Sequence, residues 1–156
     1  MTTRSTIRAA DAAFVFVDIQ SALADVMERR DAVVGAAALL ARAAATLQVP
    51  VLVTRQYPRG LGDTVCEIAE AVGEHSPIDK VTFSCLAEPA FREQLEALGR
   101  RQVVLAGMET HICITQTALA LLEEGYEVSV VADATCSRRM SDHEVALARL
   151  RAAGAQ

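Results

Sequence analysis

Three side chains have the types and settings to act together on a carbonyl group. Cys113 follows the apolar run Val103-Val104-Leu105-Ala106 and a turn that opens at Gly107. It lies at the start of a helix predicted over 112–124, with Ala118, Leu119 and Leu122 at helical spacing and Gly125 as the stop. A thiol there sits among unpaired backbone N–H groups at the positive end of the helix dipole, which favours thiolate and can hold an oxyanion. Asp18 ends the continuous apolar run 12–17, at the strand edge where open α/β sheets keep their sites. Lys80 lies in an alternating segment, 78–83, that reads as a short, less buried strand. A sulfur nucleophile needs a group to take its proton and another to balance its charge. Asp18 suits the first task, later returning the proton to a leaving amine, and Lys80 suits the second. Each also has a plainer reading: a free cysteine packs as a small hydrophobe, an Asp caps a helix, a strand lysine is solvated. Cys85, five residues after Lys80, is either a core residue or a resolving thiol for Cys113.

The elements that must position these groups alternate along the chain. After the first strand, a short helix is predicted over 21–27. Asp31 then caps a longer one whose inner face is Val33, Ala37, Leu40, Ala44 and Leu47, broken at Val49-Pro50. A second strand over 51–54 leads into a shaped loop, 55–63, containing Tyr57-Pro58 and two glycines. A helix over 64–72, the strand 78–83 and an amphipathic helix over 88–98 with Phe91, Leu95 and Leu98 inward come next. A buried strand over 127–132 ends at Asp133, and Ser141-Asp142 caps a last helix running to about residue 152. Strand–helix alternation predicts a doubly wound α/β sandwich with a mostly parallel sheet, in one domain spanning 1–156.

Composition narrows the function classes. The 156 residues are 52% hydrophobic with few aromatics, so the core is expected to be Ala, Val and Leu. A formal charge of −5 argues against a nucleic-acid or anionic-membrane partner, and the Arg-Arg pairs at 29–30, 100–101 and 138–139 are too short to reverse that. Four cysteines without C-x-x-C spacing indicate neither a disulfide framework nor a zinc knuckle. No apolar run approaches the roughly 20 residues of a membrane span, so the expectation is a soluble, cytoplasmic protein.

Asp18-Ile19-Gln20, Lys80 with Phe83-Ser84 after it, and Gly107-Met108-Glu109-Thr110-His111-Ile112-Cys113-Ile114 resemble, in order and spacing, the isochorismatase-like cysteine hydrolases. The resemblance runs from about residue 12 to the end and includes 56–62, 116–119 and 131–134, segments most similar to the isochorismatase domain-containing subgroup. It implies a strand order of 3-2-1-4-5-6 and an Asp18–Lys80–Cys113 triad. It also implies a cis peptide at Met108–Glu109 that turns the Glu109 N–H, with that of Cys113, into an oxyanion hole. The implied chemistry is attack on a small amide through a Cys113 thioester, with Leu23, Tyr57 and Phe83 as pocket walls and Gln20 and Thr110 as polar contacts. A binding or scaffold protein that keeps the fold without turnover is the alternative.

Departures from the pattern carry expectations too. Arg55-Gln56-Tyr57 stands where nicotinamidases of the family carry an Asp-x-His metal site, so neither metal nor cofactor is expected. Isochorismate hydrolases proper lack the cysteine, so Cys113 points to carbon–nitrogen rather than vinyl-ether cleavage. Leu23 stands where many relatives have an aromatic residue. Relatives continue past Gly154-Ala155 into a final strand and helix, so the sixth strand is expected to be missing and the fifth to form an edge. A homo-oligomer is expected by resemblance.

Overall fold

The structure is a computed structural model describing residues 6–156. Five strands make one parallel sheet: β1 (Ala12–Val17), β2 (Val51–Gln56), β3 (Ile78–Lys80), β4 (Gln102–Met108) and β5 (Glu127–Cys136), in the order β3-β2-β1-β4-β5. The helices are α1 (Ser21–Ala24), α2 (Arg30–Leu47), α3 (Pro58–Leu61), α4 (Cys66–Val72), α5 (Pro89–Leu98), α6 (Thr115–Glu123) and α7 (Met140–Ala153). The expected doubly wound sandwich is therefore present, with strand order 3-2-1-4-5.

Side chains alternate across β1 and feed two separate cores. Ala13, Val15 and Val17 join Leu52, Val103 and Leu105 beneath Phe91, Leu95, Leu121 and Leu150. Phe16 joins Val53 and Ala106 on the opposite face, under Val33, Val34, Ala37 and Ala41 of α2. Both faces of β1 are thus covered, which is why its sequence is apolar without interruption.

Several boundaries differ from the sequence expectation. Helix α2 begins at Arg30, so Asp31 lies in its first turn and is not its cap. Its inner face keeps Val33, Ala37 and Ala44 but adds Val34, Ala38 and Ala41; Leu40 is half-buried and Leu47, in the last turn, is exposed. Alanines let the helix axis approach the sheet, leaving little room for larger side chains at its centre. Thr64 makes a single bridge to Gln20, and the helix predicted from 64 starts at Cys66. Strand β3 stops at Lys80, leaving Val81 and Phe83 exposed, because the chain bends back to bring the Thr82 and Phe83 carbonyls onto the Lys80 ammonium. Strand β5 does not end at Asp133: it bulges there, with pairing jumping from Leu105–Val130 to Gly107–Thr135, and continues to Cys136. The last helix starts at Met140, one residue before the predicted cap.

The β5 edge is partly paired. The Gln156 N–H donates to the Val128 carbonyl (2.9 Å), and the Val130 N–H donates to the Gln156 carbonyl (2.8 Å), while Ala155 is buried. Among the described residues no helix is long and apolar enough to cross a membrane.

Candidate active site

Parallel register brings the three candidate side chains to one end of the sheet. Val17 pairs with Thr54 on one side and Gly107 on the other, and Gln56 pairs with Lys80. Asp18, the end of β3 and the turn after β4 therefore share the carboxyl edge of the three strands. The approach between β1 and β4 is close: a Cβ on Gly107, which has φ 132°, would run into the Val17 carbonyl oxygen. Asp18 itself takes the left-handed conformation at φ 53°, which Asp tolerates better than most residues, and this turns the chain sharply at the strand end.

The Lys80 Nζ lies 2.7 Å from Asp18 Oδ2 and 3.7 Å from Cys113 Sγ, and all three residues are almost wholly buried. The ammonium also donates toward Gln56 Oε1 (2.7 Å) and the carbonyls of Thr82 (3.0 Å) and Phe83 (3.3 Å). It is thus a fixed cation surrounded by acceptors. Burial alone would weaken the ammonium's hold on its proton, but Asp18 and the neighbouring sulfurs outweigh that, and the Lys80 pKa is raised. The other Asp18 oxygen, Oδ1, accepts from the buried Thr54 hydroxyl at 2.8 Å, so both carboxylate oxygens are oriented.

The thiol is not the activated thiolate that a helix N-terminus beside a lysine suggests. Burial and then the Asp18 carboxylate push the Cys113 pKa up, and Lys80 opposes them without prevailing. With its pKa raised, Cys113 holds its proton as a thiol beside the Lys80–Asp18 pair, so a carboxylate that can take the proton as attack proceeds is close by. Cys85 is wholly buried and its thiol is pushed up to about 11 by burial; it remains a free thiol beside the Thr54 hydroxyl at 3.9 Å.

The turn between β4 and α6 contains the Met108–Glu109 peptide in the cis form, at the expected position. Residues Thr110–Ile114 wind as a single wide π turn before α6 begins, so Cys113 lies within that turn. The Glu109 N–H makes no backbone hydrogen bond among the described residues, and the Cys113 N–H lies in the first turn, where helix geometry leaves donors free.

The remaining expected contacts are distributed unevenly. Gln20 is fully buried; its amide donates to the carbonyls of Gln56 (3.0 Å) and Gly62 (2.8 Å) and accepts from the Gln56 N–H (2.7 Å). Both its donors are spent on backbone, so Gln20 ties the α3 loop to β1 and has no N–H left for a substrate. Leu23 is buried in α1, in the core cluster with Phe16, Met27, Val33 and Ile68. The Thr110 hydroxyl pairs with His143 Nδ1 at 2.8 Å. Tyr57 and Phe83 are more than half exposed, and Tyr57 lines a groove of about 350 Å³ with Pro58, Arg59, Val81 and Lys80. Thr54 and Gln56 orient Asp18 and Lys80; the sequence marks Thr54 only by its place at the end of β2, and Gln56 by that and by opening the resembling segment 56–62. Arg55, at the position of the metal-site Asp, binds Asp79 through two nitrogens and Asp63 through the third. Among the described residues no group of three or more His, Cys, Asp or Glu is placed to hold a metal ion.

The Isochorismatase domain model matches residues 12–156. The chain belongs to the isochorismatase family. It is 38% identical to isochorismatase domain-containing protein 1 of Danio rerio, over 99% of this chain and 54% of that protein. The chain spans about half the length of that relative. The MAR1 ribonuclease of Caenorhabditis elegans has a similar structure, with TM-score 0.90 and 36% identity over 97% of this chain and 78% of that one. The YcaC gene product of Escherichia coli, described as an octameric hydrolase of unknown specificity, superposes with TM-score 0.90 at 27% identity, over 99% of this chain and 78% of that one. Isochorismatase-family membership thus assigns a hydrolase fold.

Proposed function

We propose that this isochorismatase-family chain is a cysteine hydrolase that cleaves the carbon–nitrogen bond of a small amide without a metal. The observation that carries the reading is the buried contact of Lys80 Nζ with both Asp18 Oδ2 (2.7 Å) and Cys113 Sγ (3.7 Å). In this mechanism Asp18 takes the thiol proton as Cys113 Sγ bonds to the amide carbonyl carbon. The oxygen, now negative, is held by the Glu109 and Cys113 N–H groups. Asp18 then gives the proton to the nitrogen, the C–N bond breaks, and ammonia or an amine leaves. Water adds to the thioester, passing a proton to Asp18. Collapse releases the acid, and the sulfur recovers its proton. Lys80 is a donor only; it steadies the Asp18 carboxylate and the developing charge on sulfur.

The burial of Asp18, Lys80 and Cys113 favours a small substrate. A screen of small amides for ammonia release, with Cys113→Ala as control, is the test. Release that depends on Cys113 supports the reading, whereas none from any amide would favour a non-catalytic binding protein. The MAR1 ribonuclease likeness raises RNA as a substrate, but a chain with net charge −5 offers phosphates little attraction. We carry a homo-oligomer to this chain as well, in line with the octameric YcaC protein. Light scattering should give a multiple of 16.7 kDa, and a monomer mass would refute it.

A further inference from the structure

The turn that carries the nucleophile is fastened by its side chains as well as by its backbone. Three consecutive residues, Glu109, Thr110 and His111, each reach a partner in the segment that ends β5 and opens α7. The Glu109 carboxylate accepts from the Arg138 backbone N–H at 3.0 Å and from its Nε at 3.1 Å. Thr110 Oγ1 meets His143 Nδ1 at 2.8 Å. His111 Nδ1 meets Ser137 Oγ at 2.8 Å, and its backbone N–H points at the same oxygen at 3.4 Å. Glu109, Thr110, Ser137 and His143 are all at least nine-tenths buried, so these bonds are made away from competing water. The Thr115 hydroxyl adds a fourth tie, to the Thr110 carbonyl at 2.6 Å.

The β5 bulge makes this possible. After the bulge, Thr135 and Cys136 pair with Gly107 and Met108, which brings 137–143 alongside the turn. Without the extra residues, β5 would leave the sheet in a different register and the three partners would not face Glu109, Thr110 and His111.

We propose that Ser137, Arg138 and His143 form a positioning clamp that sets the direction of the Glu109 and Cys113 N–H groups for the oxyanion of the hydrolysis proposed above. Among the described residues no hydrogen bond or ion pair joins Ser137, Arg138 or His143 to Asp18, Lys80 or the Cys113 sulfur, so the clamp acts on the oxyanion hole and not on the thiol. Two thiol probes separate these roles without knowledge of the substrate. In alkylation, Cys113 Sγ bonds to the CH2 carbon of iodoacetamide, iodide leaves and the thiol proton is released, and no tetrahedral oxygen forms. Propionaldehyde adds reversibly: an S–C bond forms, the carbonyl π bond opens, and the thiol proton ends on the new hydroxyl oxygen, where the N–H groups point.

The measurement is the propionaldehyde concentration that halves iodoacetamide labelling of the Cys113 peptide, read by mass spectrometry. Arg138→Ala and His143→Ala should raise that concentration by about tenfold, a size in keeping with a small misplacement of a stabilising group. Their labelling rates without aldehyde should match the wild-type rate. His143→Asn, whose amide keeps a hydrogen-bonding group near the place of Nδ1, should restore the wild-type concentration. Unlabelled Cys85 and Cys136 report an intact core, and if His143→Ala does not fold, Arg138→Ala, whose side chain is 60% exposed, carries the test. Unchanged aldehyde protection in the variants, or equal loss of both reactions, overturns the clamp alone. No protection of wild-type Cys113 by aldehyde overturns the hydrolytic reading and the clamp with it.

Discussion

At the scale of residues, the site holds its charges in an order that the individual side chains do not announce. Lys80 is the centre, with Asp18, Gln56, two carbonyls and Cys113 Sγ around its ammonium. A lysine so enclosed cannot serve as the base, because its proton is stabilised by the carboxylate beside it. In the proposed mechanism that leaves Asp18 as the base. Burial and then this carboxylate raise the Cys113 pKa, so the proposed base also opposes ionisation of the resting thiol. Asp18→Asn should therefore shift the pH profile of Cys113 alkylation by iodoacetamide to lower pH, since a group that raises the thiol pKa has gone, while amide hydrolysis is abolished. An unmoved or upward-shifted profile would show that Asp18 does not act on the sulfur. These relations depend on contacts between residues 33 and 62 positions apart, which no local pattern specifies.

At the scale of elements, what matters is where strands stop. The apolar run of β1 and the sequence around β4 announced their strands because both faces of each are buried. Alternation through Phe83 looks like a strand, but β3 ends at Lys80 because the buried ammonium draws the Thr82 and Phe83 carbonyls onto itself. The β5 bulge was equally hidden, since Val131-Ala132-Asp133-Ala134 carries no Gly or Pro to mark it. Gly107 is the most exacting position among these ends. Gly107→Ala would set a Cβ against the Val17 carbonyl at a positive φ, and should cost about 3 kcal/mol or more in urea unfolding, with Cys113 reactivity lost in parallel. Loss of less than about 1 kcal/mol would mean that the two strand ends have room to part.

Across the whole molecule, buried thiols are spread over both cores. Cys85 lies in the core under α5 and α6 and its pKa is pushed up to about 11 by burial, while Cys136, in the core under α2, is pushed up to about 12 by burial and then by Glu109. Both values lie above those of the unfolded chain, so the folded state binds these protons more tightly. The stability linked to them is intact below about pH 9, and falls as pH rises past the unfolded value toward 11 and 12. Thermal unfolding should show a falling Tm from pH 9 to 11, and Cys85→Ala should make that fall shallower. A Tm that is flat over that range would refute the linkage.

By itself the sequence determined the class of fold, the order of the elements and the three chemical groups, because hydrophobic period, turn residues and the motifs at Asp18, Lys80 and Gly107–Cys113 are local or ordered along the chain. Membership of the isochorismatase family was legible for the same reason. Tertiary structure alone decided which polar groups are already committed. Gln20, chosen from sequence as a substrate contact, spends its donors on Gln56 and Gly62, and Thr110 is held by His143 on the last helix. It also decided that the thiol rests protonated, since that depends on burial and on Asp18 outweighing Lys80 and the helix start. Hydrogen-bond partners and desolvation are properties of the packed neighbourhood, and that neighbourhood is assembled from five strand ends that meet only in the fold.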